Sequence, residues 1–144
     1  MLIRGSCHCG NISFRLDWQP ESAEIAARIC DCSFCTKHGG VWTSCRSGSL
    51  DVQFKDPSRV SRYSFGTRTA VFHVCAECGA VPVVTSEIDG RTYAVVSVNA
   101  LDGVDQIRIT RTPVSFDGED ATTRLARRAR NWIANVRFSS APRG

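Results

Sequence analysis

The sequence contains no run of apolar residues approaching the roughly 18 needed to cross a bilayer. Its first residues, Met1 to Cys7, show no basic segment followed by an apolar one. Neither a membrane span nor a secretory leader is therefore expected, and a cytoplasmic setting is. No stretch repeats, none is of low complexity, and none has the Pro, Gly and Ser content of a linker. A solenoid and a two-domain arrangement drop out on that ground. At 144 residues, with 42% hydrophobic and 22% charged residues, the chain is expected to fold as one domain over residues 1–144.

Acidic residues are also missing from one region. Residues 121–144 hold six arginines and no acid, whereas residues 1–120 carry 12 basic groups against 14 acidic ones. The net charge of +4 thus belongs to the tail, not the body. No aromatic residues interleave the basic ones in the pattern that base stacking needs, so nucleic acid is an unlikely partner.

What the chain does have is cysteine. Seven of its eight cysteines fall into three tight clusters: Cys7 and Cys9; Cys30, Cys32 and Cys35; Cys75 and Cys78. Cys45 stands alone. Thiols this near in sequence make poor disulfide partners, whereas clustered thiolates are what a tetrahedral zinc ion takes. Reduced, metal-binding cysteines are expected rather than a secreted disulfide scaffold. Seven ligands divide into four, which close a structural site, and three, which leave one coordination position for water or a substrate thiol. Joining the outer clusters gives a four-cysteine set that clamps two distant parts of the chain, with Cys30, Cys32 and Cys35 as the three. The other partition places one outer cysteine with the middle cluster and strands the rest. Spacing alone leaves both open. It also leaves two internal candidates for the fourth position of the smaller set: His38, three residues after Cys35, and Cys45.

The residues around these clusters carry plainer expectations. His8 reads as a residue supporting the metal site or on the surface, His73 as a packed or solvent-facing imidazole on a strand with general base as the alternative, and Cys45 otherwise as a small buried side chain. Trp42, beside Gly39-Gly40, reads equally as the wall of a ligand pocket or as core. Cys75 and Cys78 are not expected to form a thioredoxin-type pair, because no βαβ pattern surrounds them.

Hydrophobic alternation predicts strands over residues 2–4, 11–17, 22–29, 41–45, 50–54, 59–65, 69–74, 81–86 and 92–98, with one helical turn at 34–38. Asp89-Gly90 between two β-rich runs is a hairpin signal. The fold class expected is mainly β. The C-terminal segment differs, with helical spacing over about 121–136 and Asp120 as the N-cap. Leu125, Ala129, Trp132, Ile133 and Val136 fall on one side of that amphipathic helix. Arg124, Arg127, Arg128 and Arg130 fall largely on the other, which reads as a solvated face. Attraction of an anionic tripeptide or of nucleic-acid phosphates is the alternative role for those arginines.

Three stretches, Gly5-Ser6-Cys7-His8-Cys9-Gly10, Cys30-Asp31-Cys32-Ser33-Phe34-Cys35 and Cys75-Ala76-Glu77-Cys78-Gly79, resemble the signatures of the glutathione-dependent formaldehyde-activating enzyme family, which includes the centromere protein V group. The resemblance covers about residues 3–103, and Ser97 to Asp102 is similar to the family's late strand ending in Leu-Asp. It implies an Mss4-like fold of several small, coiled antiparallel β-sheets stapled by two zinc ions. Cys7, Cys9, Cys75 and Cys78 would hold a structural zinc, and Cys30, Cys32 and Cys35 a labile, catalytic-type zinc. It further implies that the open position takes the glutathione thiol, which adds to formaldehyde to give S-(hydroxymethyl)glutathione. A non-enzymatic zinc scaffold for a protein or nucleic-acid partner is the rival expectation.

Overall fold

The computed structural model describes residues 1–140. In chain order, β1 (Leu2–Ser6), β2 (Ile12–Asp17) and β3 (Ile25–Cys30) lead into a short helix, α1 (Ser33–His38). There follow β4 (Val41–Thr43), β5 (Ser49–Phe54), β6 (Val60–Tyr63), β7 (Val71–Cys75), β8 (Val83–Ile88), β9 (Arg91–Ser97), β10 (Leu101–Asp102) and β11 (Ile109–Val114). A longer helix, α2 (Ala121–Asn131), and a last strand, β12 (Asn135–Ser140), complete the described chain. No helix among the described residues is long and apolar enough to cross a membrane.

The mainly β expectation holds, with the strands gathered into two sheets. The smaller runs β10-β1-β2-β5-β12 and the larger β11-β3-β4-β9-β8-β7-β6. In β2, alternation places Ile12, Phe14 and Leu16 inside, and their neighbours across the ladder, Ile3, Leu50 and Val52, face the same way. These side chains meet Val83, Ala94 and Val96 of the larger sheet in the main core. The other faces of β8 and β9 are covered too. Val84 and Val95 join Phe72, Trp42, Cys35 and Trp132 in a second, smaller core. Two cores on opposite faces explain why Val83 to Ser86 and Ala94 to Ser97 are buried without interruption.

The expectation of antiparallel sheets needs one correction. Two outer pairs are parallel: β11 with β3, and β12 with β5. A parallel partner must arrive by a long crossover, and both of these come from the last third of the chain. Neither was expected from the pattern. β11 is an exposed edge strand whose Thr, Arg and Pro residues give no alternation, and Pro113 is tolerated because an edge strand need not donate on its outer side.

The second correction concerns the C-terminal helix. Asp120 is its N-cap as expected, accepting from the Thr123 backbone N–H at 2.7 Å. The helix ends at Asn131, however, not near residue 136. At Trp132 the backbone becomes extended, and Ile133 forms an antiparallel bridge with Ala94, exchanging hydrogen bonds of 2.9 and 3.0 Å. The stretch of β9 that the short β4 leaves unpaired thus captures the chain where apolar periodicity alone would let the helix continue. Burial of Ile133 under β9 anchors α2 against the larger sheet.

Ile133→Ala is therefore expected to cost about 2–5 kcal/mol in chemical denaturation. Arg130→Ala, on the outward face of α2, should stay within about 0.5 kcal/mol of wild type. Equal effects at the two positions would contradict this placement of the segment.

Candidate metal centres

Two groups of thiols come together, and they are the four and the three. Cys7 and Cys9 lie in the turn between β1 and β2, while Cys75 ends β7 and Cys78 lies in the turn that leads to β8. Their four Sγ atoms all fall within 4.8 Å of one another. Cys7 and Cys9 Sγ are 3.8 Å apart, and Cys9 and Cys75 Sγ 3.5 Å. A disulfide would need about 2.05 Å. Ligands about 2.3 Å from a tetrahedral zinc stand about 3.8 Å from each other, so the spacing is that of a metal cage. The two turns are alike. Gly10 and Gly79 each adopt positive φ, 85° and 80°, and donate back to the carbonyls of Cys7 and Cys75. That sharp reversal aims the backbone N–H groups of Ile12 and Cys78 at Cys7 and Cys75 Sγ, at 3.3 and 3.5 Å. Burial pushes the Cys7 thiol up to about 12, and a bound cation is what reverses that preference.

Cys30, Cys32 and Cys35 form the second group, again with every Sγ within 4.8 Å. Cys30 ends β3, Cys32 caps α1 with its Sγ accepting from the Cys35 N–H at 3.3 Å, and Cys35 sits within the helix. The indole Nε1–H of Trp42 donates to Cys35 Sγ at 3.3 Å from a buried position. Gly40 makes this approach feasible. A Cβ there would lie 2.8 Å from Cys35 Sγ and 2.9 Å from Trp42 Nε1. A hydrogen bond from Cys35 holds the Cys30 thiol down at about 6, and the same pairing pushes Cys35 well above the ordinary thiol range. Cys30 is thus ready to bind a cation as thiolate. Both donor sets, all-sulfur and hydrogen-bonded by backbone or indole, suit zinc.

His38 and Cys45, the two candidates for closing the smaller set, do not join it. The His38 ring packs on Phe34, with centroids 4.3 Å apart, and lies outside the thiol group. Cys45 is 8% exposed in the main core, its thiol directed at the Asp17 carbonyl. Of the two orientations open for His73, the imidazole takes the packed one. Its Nε2 pairs with Thr85 Oγ1 at 2.8 Å, and burial holds its pKa down at about 4. His8 is exposed. Trp42 serves both readings at once, since it belongs to the second core and also lines the cleft described next.

Beside the smaller thiol group lies a cleft of about 640 Å³. One wall is apolar, with Trp42, Phe65, Phe72, Val84, Val95 and Trp132. The other is cationic, with Arg28 from β3 and Arg124, Arg127 and Arg128 from α2. This corrects the reading of the helix: Arg130 is exposed, but Arg128 is the most buried residue of α2, at 6% exposure. Positions 124, 127, 128 and 131 share one helical face, and that face turns towards β8 and the thiols. Glu119 pairs with Arg127 at 3.0 Å and stands 3.9 Å from Arg124. Arg127 lies 3.5 Å over the Phe116 ring, and Arg128 lies 5.0 Å from that of Trp132. Burial, and then repulsion from Arg127 and Arg124, lowers Arg128 to about 10, which leaves it charged at neutral pH. The i, i+3, i+4 arginine spacing at 124, 127 and 128 was visible in the sequence. What was not visible is which side of the helix the protein covers.

Comparison with known proteins bears on this arrangement. No curated protein matches the chain. Among solved structures, the crystal structure of a Rhodobacter sphaeroides protein, a Northeast Structural Genomics target, is similar at 28% identity and a TM-score of 0.55. The likeness covers 76% of this chain and 99% of that one. The family model described as glutathione-dependent formaldehyde-activating enzyme matches residues 2–113, a span that contains all seven clustered cysteines. With its three motifs folded into two thiol cages, the chain belongs to the glutathione-dependent formaldehyde-activating enzyme family.

Proposed function

We propose that the protein is a zinc-dependent, carbon–sulfur lyase-type enzyme that binds glutathione or a similar small thiol and joins it to formaldehyde as S-(hydroxymethyl)glutathione. The observation that carries this reading is a set of three thiols, unassisted by His38 or Cys45, on the wall of a cleft large enough for a tripeptide. Cys7, Cys9, Cys75 and Cys78 would hold a structural zinc, and Cys30, Cys32 and Cys35 a catalytic-type one. A zinc ion bound by three cysteines lowers the pKa of an added thiol and keeps it as thiolate at neutral pH.

The chain's own residues do the rest. Trp42 and the Cys35 N–H hold the sulfurs in place by hydrogen bonds, so that the three thiolates converge on one point. The apolar wall excludes water from that point. In the reaction the thiol sulfur forms a bond to the aldehyde carbon, the carbonyl π bond opens, and the thiol proton ends on the new hydroxyl. Three thiolates already give a divalent ion a net negative charge, so little Lewis acidity remains for the aldehyde. Placement of the two reactants is then the main contribution of the site. Free thiols in both groups accord with a reducing compartment such as the cytoplasm. Nucleic acid is a poor alternative partner, because three of the four α2 arginines face the cleft and only Arg130 faces outward.

Three measurements test this. Metal analysis of the purified chain is expected to give two zinc ions, of which a mild chelator removes one; glutathione binding should vanish with it and return when zinc is restored. Two equally inert ions would leave only structural metal. Cys32→Ser should yield a folded protein with one zinc and no detectable thiol binding, whereas Cys75→Ser should fail to fold cooperatively. Trp42→Phe, which removes the indole donor while keeping an aromatic ring in the second core, should weaken zinc at the smaller site by about 10- to 100-fold with the other zinc unaffected. An unchanged affinity would remove Trp42 from the metal's support.

A further inference from the structure

The cleft holds more positive charge than its thiols account for. Glu119 answers Arg124 and Arg127. Among the described residues no carboxylate pairs with Arg28 or Arg128. Asp31 and Asp117, the acids at the rim, are exposed and make no ion pair with either arginine. Arg28 donates from Nη2 to the neutral Ser44 hydroxyl at 2.9 Å. Arg128, 6% exposed, donates from Nη1 to the hydroxyls of Thr69 and Ser86 at 2.8 and 3.2 Å. Its Nε and that of Arg124 are buried without a hydrogen-bond partner. A buried guanidinium met only by hydroxyls is costly unless an anion joins it. Three thiolates around a divalent ion supply one net negative charge, which leaves one of the two guanidiniums unanswered.

We infer that Arg28 and Arg128, the two cleft guanidiniums with no carboxylate partner among the described residues, form a carboxylate subsite, so that the thiol taken by this cleft carries a carboxylate and the segment after residue 113 contributes to the substrate class. The inference rests on the thiol-binding reading above and specifies what else that thiol must bear. A guanidinium fork matches a carboxylate in two parallel hydrogen bonds. Packing of Arg128 beside Trp132, and its bonds to Thr69 and Ser86, fix its guanidinium before a ligand arrives, which lowers the entropy lost on binding. Placement of this wall on the chain is informative. The family match ends at residue 113, and Arg124, Arg127 and Arg128 lie beyond it. The shared span supplies the thiols and Arg28, and the remainder supplies most of the cationic wall.

The test uses the zinc-loaded full chain and tryptophan fluorescence, since Trp42 and Trp132 line the cleft. The probe is S-methylglutathione, which keeps both carboxylates but has no free thiol. Saturable binding is expected, weakened at least about ten-fold in Arg28→Gln and Arg128→Gln, partly restored in Arg28→Lys, and unchanged in Arg130→Gln. A thermal melt confirms that each variant is folded; should Arg128→Gln fail to fold, the Arg28 pair carries the comparison. No saturable binding to wild type, or equal binding by wild type and Arg28→Gln, overturns the subsite. So does displacement of the probe by inorganic phosphate more readily than by glutarate. Arginine-dependent binding of the methylated probe with no gain from free glutathione supports the carboxylate subsite and removes the thiol reading instead.

Discussion

The two sheets meet at one group of four thiols. Cys7 and Cys9 hang from the small sheet and Cys75 and Cys78 from the large one, so a metal held by all four ties the two sheets together where their hairpins meet. The sheets already share a core built from Ile12, Phe14, Leu16, Val83 and Val96. Apolar contact of that kind sets how near two sheets lie but is tolerant of sliding. A tetrahedral cage is not tolerant, because its ligands have fixed lengths and angles. A metal held there would fix the register between the sheets and, through β7, β8 and β9, the far face of the large sheet, on which the second core, the smaller thiol group and the cleft are assembled.

How much of this could be read beforehand follows from how local each signal is. The cysteine clusters were legible because a cage needs two or three ligands from one tight turn, and such a turn spans only a few residues. The division into four and three was left open by spacing and is resolved by which hairpins face each other, a property of the sheet pairing. The strands of the middle of the chain were legible from alternation, as β2 shows. β11 and β12 were not, since an exposed parallel edge has neither alternation nor a hairpin turn to announce it. The end of α2 was misplaced for a related reason. Trp132, Ile133 and Val136 satisfy a helical period equally well when the chain has already left the helix to bridge Ala94. The arginine face was misjudged because a charged stripe is nearly always solvated, and only a neighbouring cleft makes the opposite orientation favourable.

The two walls of the cleft explain the packing that supports them. Val84 and Val95 sit on the outer face of strands whose inner face is also buried, so the apolar wall is rigid on both sides. The aromatic side chains continue this surface towards the thiols: Phe34, between Cys32 and Cys35, lies 4.8 Å from Phe72 and 5.0 Å from Tyr63. The loop that bears the smaller thiol group is thus stitched to the large sheet by ring contacts as well as by the Trp42 hydrogen bond.

Thiols and cationic wall reach the cleft from different stretches of chain. Every clustered cysteine lies at or before residue 78, and three of the four arginines lie at or after residue 124. Exchange of side chains along that one helical face can redirect preference among small molecules while the sulfur cages stay as they are. Change of ligand preference would thereby be separable from the thiol cages, with α2 as the element that carries it.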